Sequence, residues 1–110
     1  MNPFRNRRHS LDPEEAAEAM NAGRLVLYDV REGRERAQRF VPGSRHLPLG
    51  QVKARLHELP RDTPLAFICE TGRRSALATA TARQHGYDAR NVKGGMTAWT
   101  GADDAGRMRG

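Results

Sequence analysis

The sequence predicts an α/β fold: one domain with a mostly parallel sheet and helices on both of its faces. Three observations carry that prediction. Short apolar runs alternate with segments of helical composition, the pattern of strands joined by crossover helices. Two of those runs, residues 25–30 and 65–68, are apolar on both sides, as strands covered from both faces are. And 110 residues are enough for a single packed core but not for two.

Taken in order, residues 1–9 are basic and without periodicity and read as a flexible arm, ending in a short edge strand near His9 and Ser10. No hydrophobic stretch follows the arm, so it is not a secretory signal. Asp12-Pro13-Glu14-Glu15 is a helix start, with Asp12 as N-cap, Pro13 in the first turn and Glu15 as the capping-box partner. That helix runs through Ala16, Ala17 and Met20 and stops at Gly23. The strand over residues 25–30 ends on Asp29, a carboxylate that is costly to bury unless paired. Residues 32–39 are charged and helix-competent, residues 40–43 turn the chain back, and residues 45–48 suit a short strand.

Val52, Leu56 and Leu59 mark one face of a helix that Pro60 ends. Residues 61–64 turn into the second apolar strand, 65–68, and an alanine-rich helix follows from Ser75 to His85, closed by Gly86. Residues 88–92 form the last strand, Lys93-Gly94-Gly95 a turn, and residues 96–99 a short helix. The polar stretch 101–110 reads as a flexible tail, leaving 10–100 as the domain.

The formal charge is +6, carried almost wholly by arginine, since only Lys53 and Lys93 are lysine. The arginines are spread along the chain, aromatics are few and no nucleic-acid motif is present, so no nucleic-acid partner is expected. Arginine suits bidentate contacts to oxyanions, which makes a small anion the simpler partner. No apolar run approaches the ~18 residues that span a bilayer, so no membrane association is expected. One cysteine forbids an internal disulfide and fits a reducing, cytoplasmic setting. His9, His46, His57 and His85 show no metal-ligand spacing with Cys69, and no lysine-bearing phosphate loop or dinucleotide fingerprint accompanies Gly94-Gly95. Neither a metal nor a cofactor is expected.

The chemistry concentrates in Cys69-Glu70-Thr71-Gly72-Arg73-Arg74-Ser75, between the buried strand and the alanine-rich helix. A lone cysteine ending a buried strand is commonly a small core residue. Here the turn argues otherwise. Gly72 permits the positive φ that aims N–H groups inward as an anion nest, and the helix N-terminus adds its own unpaired N–H groups and positive dipole end. Both favour thiolate, the reactive form of cysteine.

That loop resembles the active-site loop of the rhodanese (sulfurtransferase) family. Further marks of the family recur in order: Asp29-Val30-Arg31-Glu32, then Val41-Pro42-Gly43-Ser44 with Leu47-Pro48, and Gly94-Gly95-Met96 with Trp99. The resemblance covers the stretch from Ser10 to Trp99. Arg39 and Phe40 stand where the family usually has a glycine and a histidine.

The resemblance implies a thiosulfate sulfurtransferase. Cys69 would be the catalytic nucleophile, taking sulfur as a persulfide from a small anionic donor, thiosulfate or a persulfide, and passing it to cyanide or a thiol such as glutathione or a thioredoxin-like protein. Glu70 to Ser75 would form the loop, with Thr71 and Arg73 at its mouth and Arg74 ordering it by reaching inward to Asp29. Asp29 would act as architecture, supported by Arg31 or Arg74, rather than as acid or base. Two alternatives remain: a protein-binding or regulatory module of the same fold, and a cysteine-dependent phosphatase. Phosphatase loops of this kind run Cys-x5-Arg, whereas four residues separate Cys69 from Arg74. The shorter loop suits a persulfide sulfur and crowds a phosphoryl group.

Overall fold

A computed structural model describes residues 9–99. The arm expected over residues 1–9, apart from His9, and the tail expected over 101–110 lie outside the described residues. Strand β1 (Ser10–Leu11) leads to α1 (Pro13–Asn21), β2 (Val26–Asp29), α2 (Gly33–Gln38) and β3 (Arg45–His46). After two short 3-10 turns come β4 (Leu65–Ile68), α3 (Arg73–Gln84), β5 (Ala89–Val92) and α4 (Gly95–Ala98). The five strands pair in the order β1-β5-β4-β2-β3, every neighbour parallel.

The central position of β4 follows from its composition. All four of its residues are buried, which only a strand flanked by strands and covered on both faces can satisfy. Alternation then sorts its side chains. Leu65, Phe67 and Cys69 join the core beneath α3, while Ala66 and Ile68 join the core beneath α1 and α4. The same alternation puts Tyr28 and Val30 on the α3 side and Leu27 on the other. Cys69 therefore leaves the sheet facing the start of α3.

Helix α1 begins as its sequence dictates, with the Asp12 N–H donating to Glu15 Oε1 at 3.0 Å, and Gly23 follows its end at φ 76°. Helix α3 starts two residues earlier than expected, at Arg73, because Gly72 caps it in the left-handed region at φ 104°.

The helix expected over Val52, Leu56 and Leu59 is absent; Leu49–Gln51 and Leu56–Glu58 are separate 3-10 turns. In a continuous α-helix the Leu56 carbonyl would accept the N–H of residue 60, and Pro60 has none. That carbonyl instead accepts the Leu59 N–H at 2.9 Å and the Tyr87 hydroxyl at 2.5 Å. Val52, Leu56 and Leu59 are all the same buried, as their spacing predicts, without an α-helix. No described helix is long and apolar enough to cross a membrane.

Candidate active site

The loop from Cys69 to Ser75 closes around the sulfur. The Gly72 N–H donates to Cys69 Sγ at 3.1 Å and the Ser75 N–H at 3.3 Å, and Ser75 Oγ lies 3.3 Å away. Burial pushes the Cys69 thiol up, but the Ser75 hydroxyl and the N–H groups of Ser75, Gly72 and Thr71 outweigh it, and the net shift is downward. Cys69 is 1% exposed in this state, with Glu70, Thr71 and Arg73 exposed around it. Gly72 supplies the positive φ that turns its N–H onto the sulfur, the nest expected from the sequence.

A second glycine braces the loop from outside. At Gly95, φ 60°, a Cβ would fall 2.4 Å from the Cys69 carbonyl oxygen and 2.6 Å from that of Glu70. Only a glycine lets the start of α4 come this close. The Met96 N–H then donates to the Cys69 carbonyl at 2.8 Å and the Thr97 N–H to the Glu70 carbonyl at 3.0 Å. The Gly94-Gly95 pair is thus a buttress for the cysteine loop.

Asp29 is fully buried and paired, but not with Arg74. Arg31 meets it with Nε on Oδ1 at 3.1 Å and Nη2 on Oδ2 at 2.9 Å, while Arg36 adds a contact to Oδ2 at 3.3 Å. Arg31 also donates to the Arg39 carbonyl at 2.6 Å and to Glu70 Oε1 at 3.4 Å, tying β2 to the loop. Asp29 is thus paired with two guanidinium groups, Arg31 and Arg36.

Arg74 corrects the expectation that it turns inward to Asp29. Its guanidinium makes a bidentate pair with Glu35 of α2, at 2.8 and 2.9 Å. Chiefly through that hydrogen bond, the Glu35 carboxyl is lowered to about 2 and Arg74 is held still more firmly cationic. Arg31 and Arg36 already occupy the carboxylate of Asp29, and Glu35 is the partly exposed acceptor that α2 offers instead.

The two departures from the usual family pattern also find contacts. Arg39 Nη1 donates to the Met96 carbonyl at 3.1 Å, and the Arg36 guanidinium lies over the Phe40 ring at 4.7 Å. A cleft of about 430 Å³ opens between α2 and the loop, lined by Arg31, Glu35, Gln38, Arg39 and Glu70.

Sequence reasoning missed Glu35, Arg36 and Asn91. The first two lie in a charged segment with no signal of what they meet. Asn91 had one: it lies two residues beyond Ala89 in β5, so alternation places it on the α3 side. There its Oδ1 accepts the Ser75 hydroxyl at 2.5 Å and its Nδ2 donates to the Gly72 carbonyl at 3.2 Å.

The model of the rhodanese-like domain family matches residues 12–102. YrkF of Bacillus subtilis is 41% identical over 78 residues and is a longer protein, the match taking in 70% of this chain and 42% of that one. The human thiosulfate:glutathione sulfurtransferase is 32% identical over 93 residues, spanning 71% of this chain and 81% of its own. Among solved structures, the human single-domain sulfurtransferase TSTD1 superposes with a TM-score of 0.74 at 27% identity, covering 86% of this chain and 96% of that one.

Proposed function

The chain belongs to the rhodanese-like domain family, and from that premise we propose that it is a sulfurtransferase that carries sulfur as a persulfide on Cys69. The observation that bears most on this reading is the sulfur itself, buried at a helix N-terminus and accepting two backbone N–H groups. Those donors stabilise a thiolate before reaction and a persulfide anion after it.

The thiolate attacks the outer sulfur of thiosulfate. A bond forms from Cys69 Sγ to that sulfur, the donor's S–S bond breaks, and sulfite leaves with the electron pair. Sulfite is a stable anion, so no general acid is required. In the second half, a thiolate or cyanide attacks the terminal sulfur and Cys69 leaves as thiolate. The exposure of Thr71 and Arg73 beside the cysteine supports a role for them in meeting the anionic donor. Thiosulfate as donor and glutathione as acceptor are carried over from the human relative's name; a thioredoxin-like thiol or cyanide would be attacked through the same geometry.

The phosphatase alternative is disfavoured by Arg74, whose fork is engaged by Glu35 and is not aimed at a phosphoryl group in the loop. The regulatory-module alternative is disfavoured by retention of the thiol with the Gly72 and Ser75 N–H groups on its sulfur. The test is steady-state turnover: with thiosulfate and cyanide the protein releases thiocyanate and sulfite, and Cys69→Ser releases neither. Turnover surviving in Cys69→Ser would overturn the proposal.

A further inference from the structure

Ser75 has one hydroxyl proton and two acceptors for it. Asn91 Oδ1 lies 2.5 Å from Ser75 Oγ, and Cys69 Sγ lies 3.3 Å from it. The Asn91 amide cannot turn over to relieve the competition. Its Nδ2 donates to the Gly72 carbonyl at 3.2 Å, and a flipped amide would set oxygen against oxygen there. The strand that holds it is fixed as well, since the Asn91 N–H donates to the His9 carbonyl at 2.8 Å.

We propose that Asn91 is a positioning residue that restrains the reactivity of Cys69 by competing with its sulfur for the Ser75 proton. With the proton on Asn91, Ser75 offers Cys69 a lone pair, which suits the thiol S–H. When Cys69 ionises or carries a persulfide anion, the hydroxyl must swing to sulfur and surrender its short bond to Asn91. The N–H groups of Gly72 and Ser75 favour the anion, and Asn91 opposes them through Ser75.

Other charged groups near the sulfur are already engaged. Arg74 of α3 is paired with Glu35 of α2, Arg31 bridges Asp29 at the end of β2 and Glu70 of the loop, and Arg83 of α3, which lines a cleft with Asn91, donates to the Ala89 carbonyl. Arg73 is exposed at the mouth, and α4 holds no titratable residue. None of these is altered by changing Asn91.

The inference rests on Cys69 being the reactive thiol and on no particular sulfur donor, so the test avoids sulfur transfer altogether. The rate of Cys69 alkylation by iodoacetamide is followed against pH in the full chain, in Asn91→Ala, in Ser75→Ala and in the double variant. Asn91→Ala frees the Ser75 proton for sulfur, so its thiolate titration moves down by about half a unit, roughly threefold faster alkylation at a pH below both values. In the Ser75→Ala background the same change moves nothing. A purely structural role, tying Gly72 in place, predicts the opposite sign, because a loosened loop loses N–H donors. An upward or absent shift, or a shift that persists without Ser75, overturns the proposal. Should Asn91→Ala fail to fold, the near-isosteric Asn91→Leu fills the same space with no acceptor for the proton. Its titration also moves down, and only while Ser75 is present; an upward or absent shift, or one that persists in the Ser75→Ala background, overturns the proposal equally.

Discussion

Arg74 lies in the same loop as Cys69 and yet directs its fork at another helix. Its partner Glu35 comes from α2, so this pair couples the cysteine loop to the segment that lines the adjoining cleft. Arg73, one residue earlier, is exposed. The two arginines should therefore fail differently. Arg74→Ala lowers the thermal midpoint by a few degrees and kcat with it, while Arg73→Ala raises KM for thiosulfate several-fold and leaves the midpoint alone; thermal unfolding and initial-rate kinetics on both variants decide it.

Glu35 adds a pH signature. Its carboxyl is lowered from 4.5 to about 2, first by Arg74 and then by the Glu32 N–H. A depressed carboxyl contributes stability that is present above its unfolded value and lost as pH falls through the folded one. The stability lead over Glu35→Gln is thus full above pH ~5, shrinks between ~4.5 and ~2, and vanishes below. Partial exposure keeps that lead at about 1 kcal/mol or less, smaller still in high salt. Denaturant unfolding of both chains across that pH range measures it.

Among the described α-helices, α4 is the shortest and has a large effect. Four residues long, it presents two N–H groups to the carbonyls of Cys69 and Glu70, and only a glycine at 95 permits the approach. Gly95→Ala must both strain φ 60° and push backbone atoms apart, so it should destabilise by at least about 2 kcal/mol. Loop disorder should follow, read as faster amide exchange at Gly72 and Ser75.

The elements also show where reading ahead succeeds. Capping residues, apolar runs and turn glycines act within a few positions, so α1, β2, β4 and the Gly72 nest are visible in the chain. What Leu56 does depends on Pro60 and on Tyr87, brought close only by folding. Helical spacing at Val52, Leu56 and Leu59 therefore marks burial without guaranteeing an α-helix.

For the molecule as a whole, a parallel sheet with both faces covered delivers one thiol from its central strand into one helix N-terminus. The cradle was legible because its parts are contiguous from Cys69 to Ser75. Its supports were less so: nothing in the charged segment marks Glu35, alternation gives only the face of Asn91, and the turn at Gly95 is visible without the loop it braces. Cys69 is also the only cysteine of the sequence, so under the proposed function a persulfide is expected to need an acceptor thiol or nucleophile from outside this chain.

The most direct test is intact and peptide mass after exposure to thiosulfate, followed by anaerobic desalting. The account predicts one added sulfur, located on the Cys69 peptide, persisting without acceptor and lost rapidly when glutathione or cyanide is added. No added sulfur from any sulfane donor, or its disappearance within one turnover time without an acceptor, would contradict it.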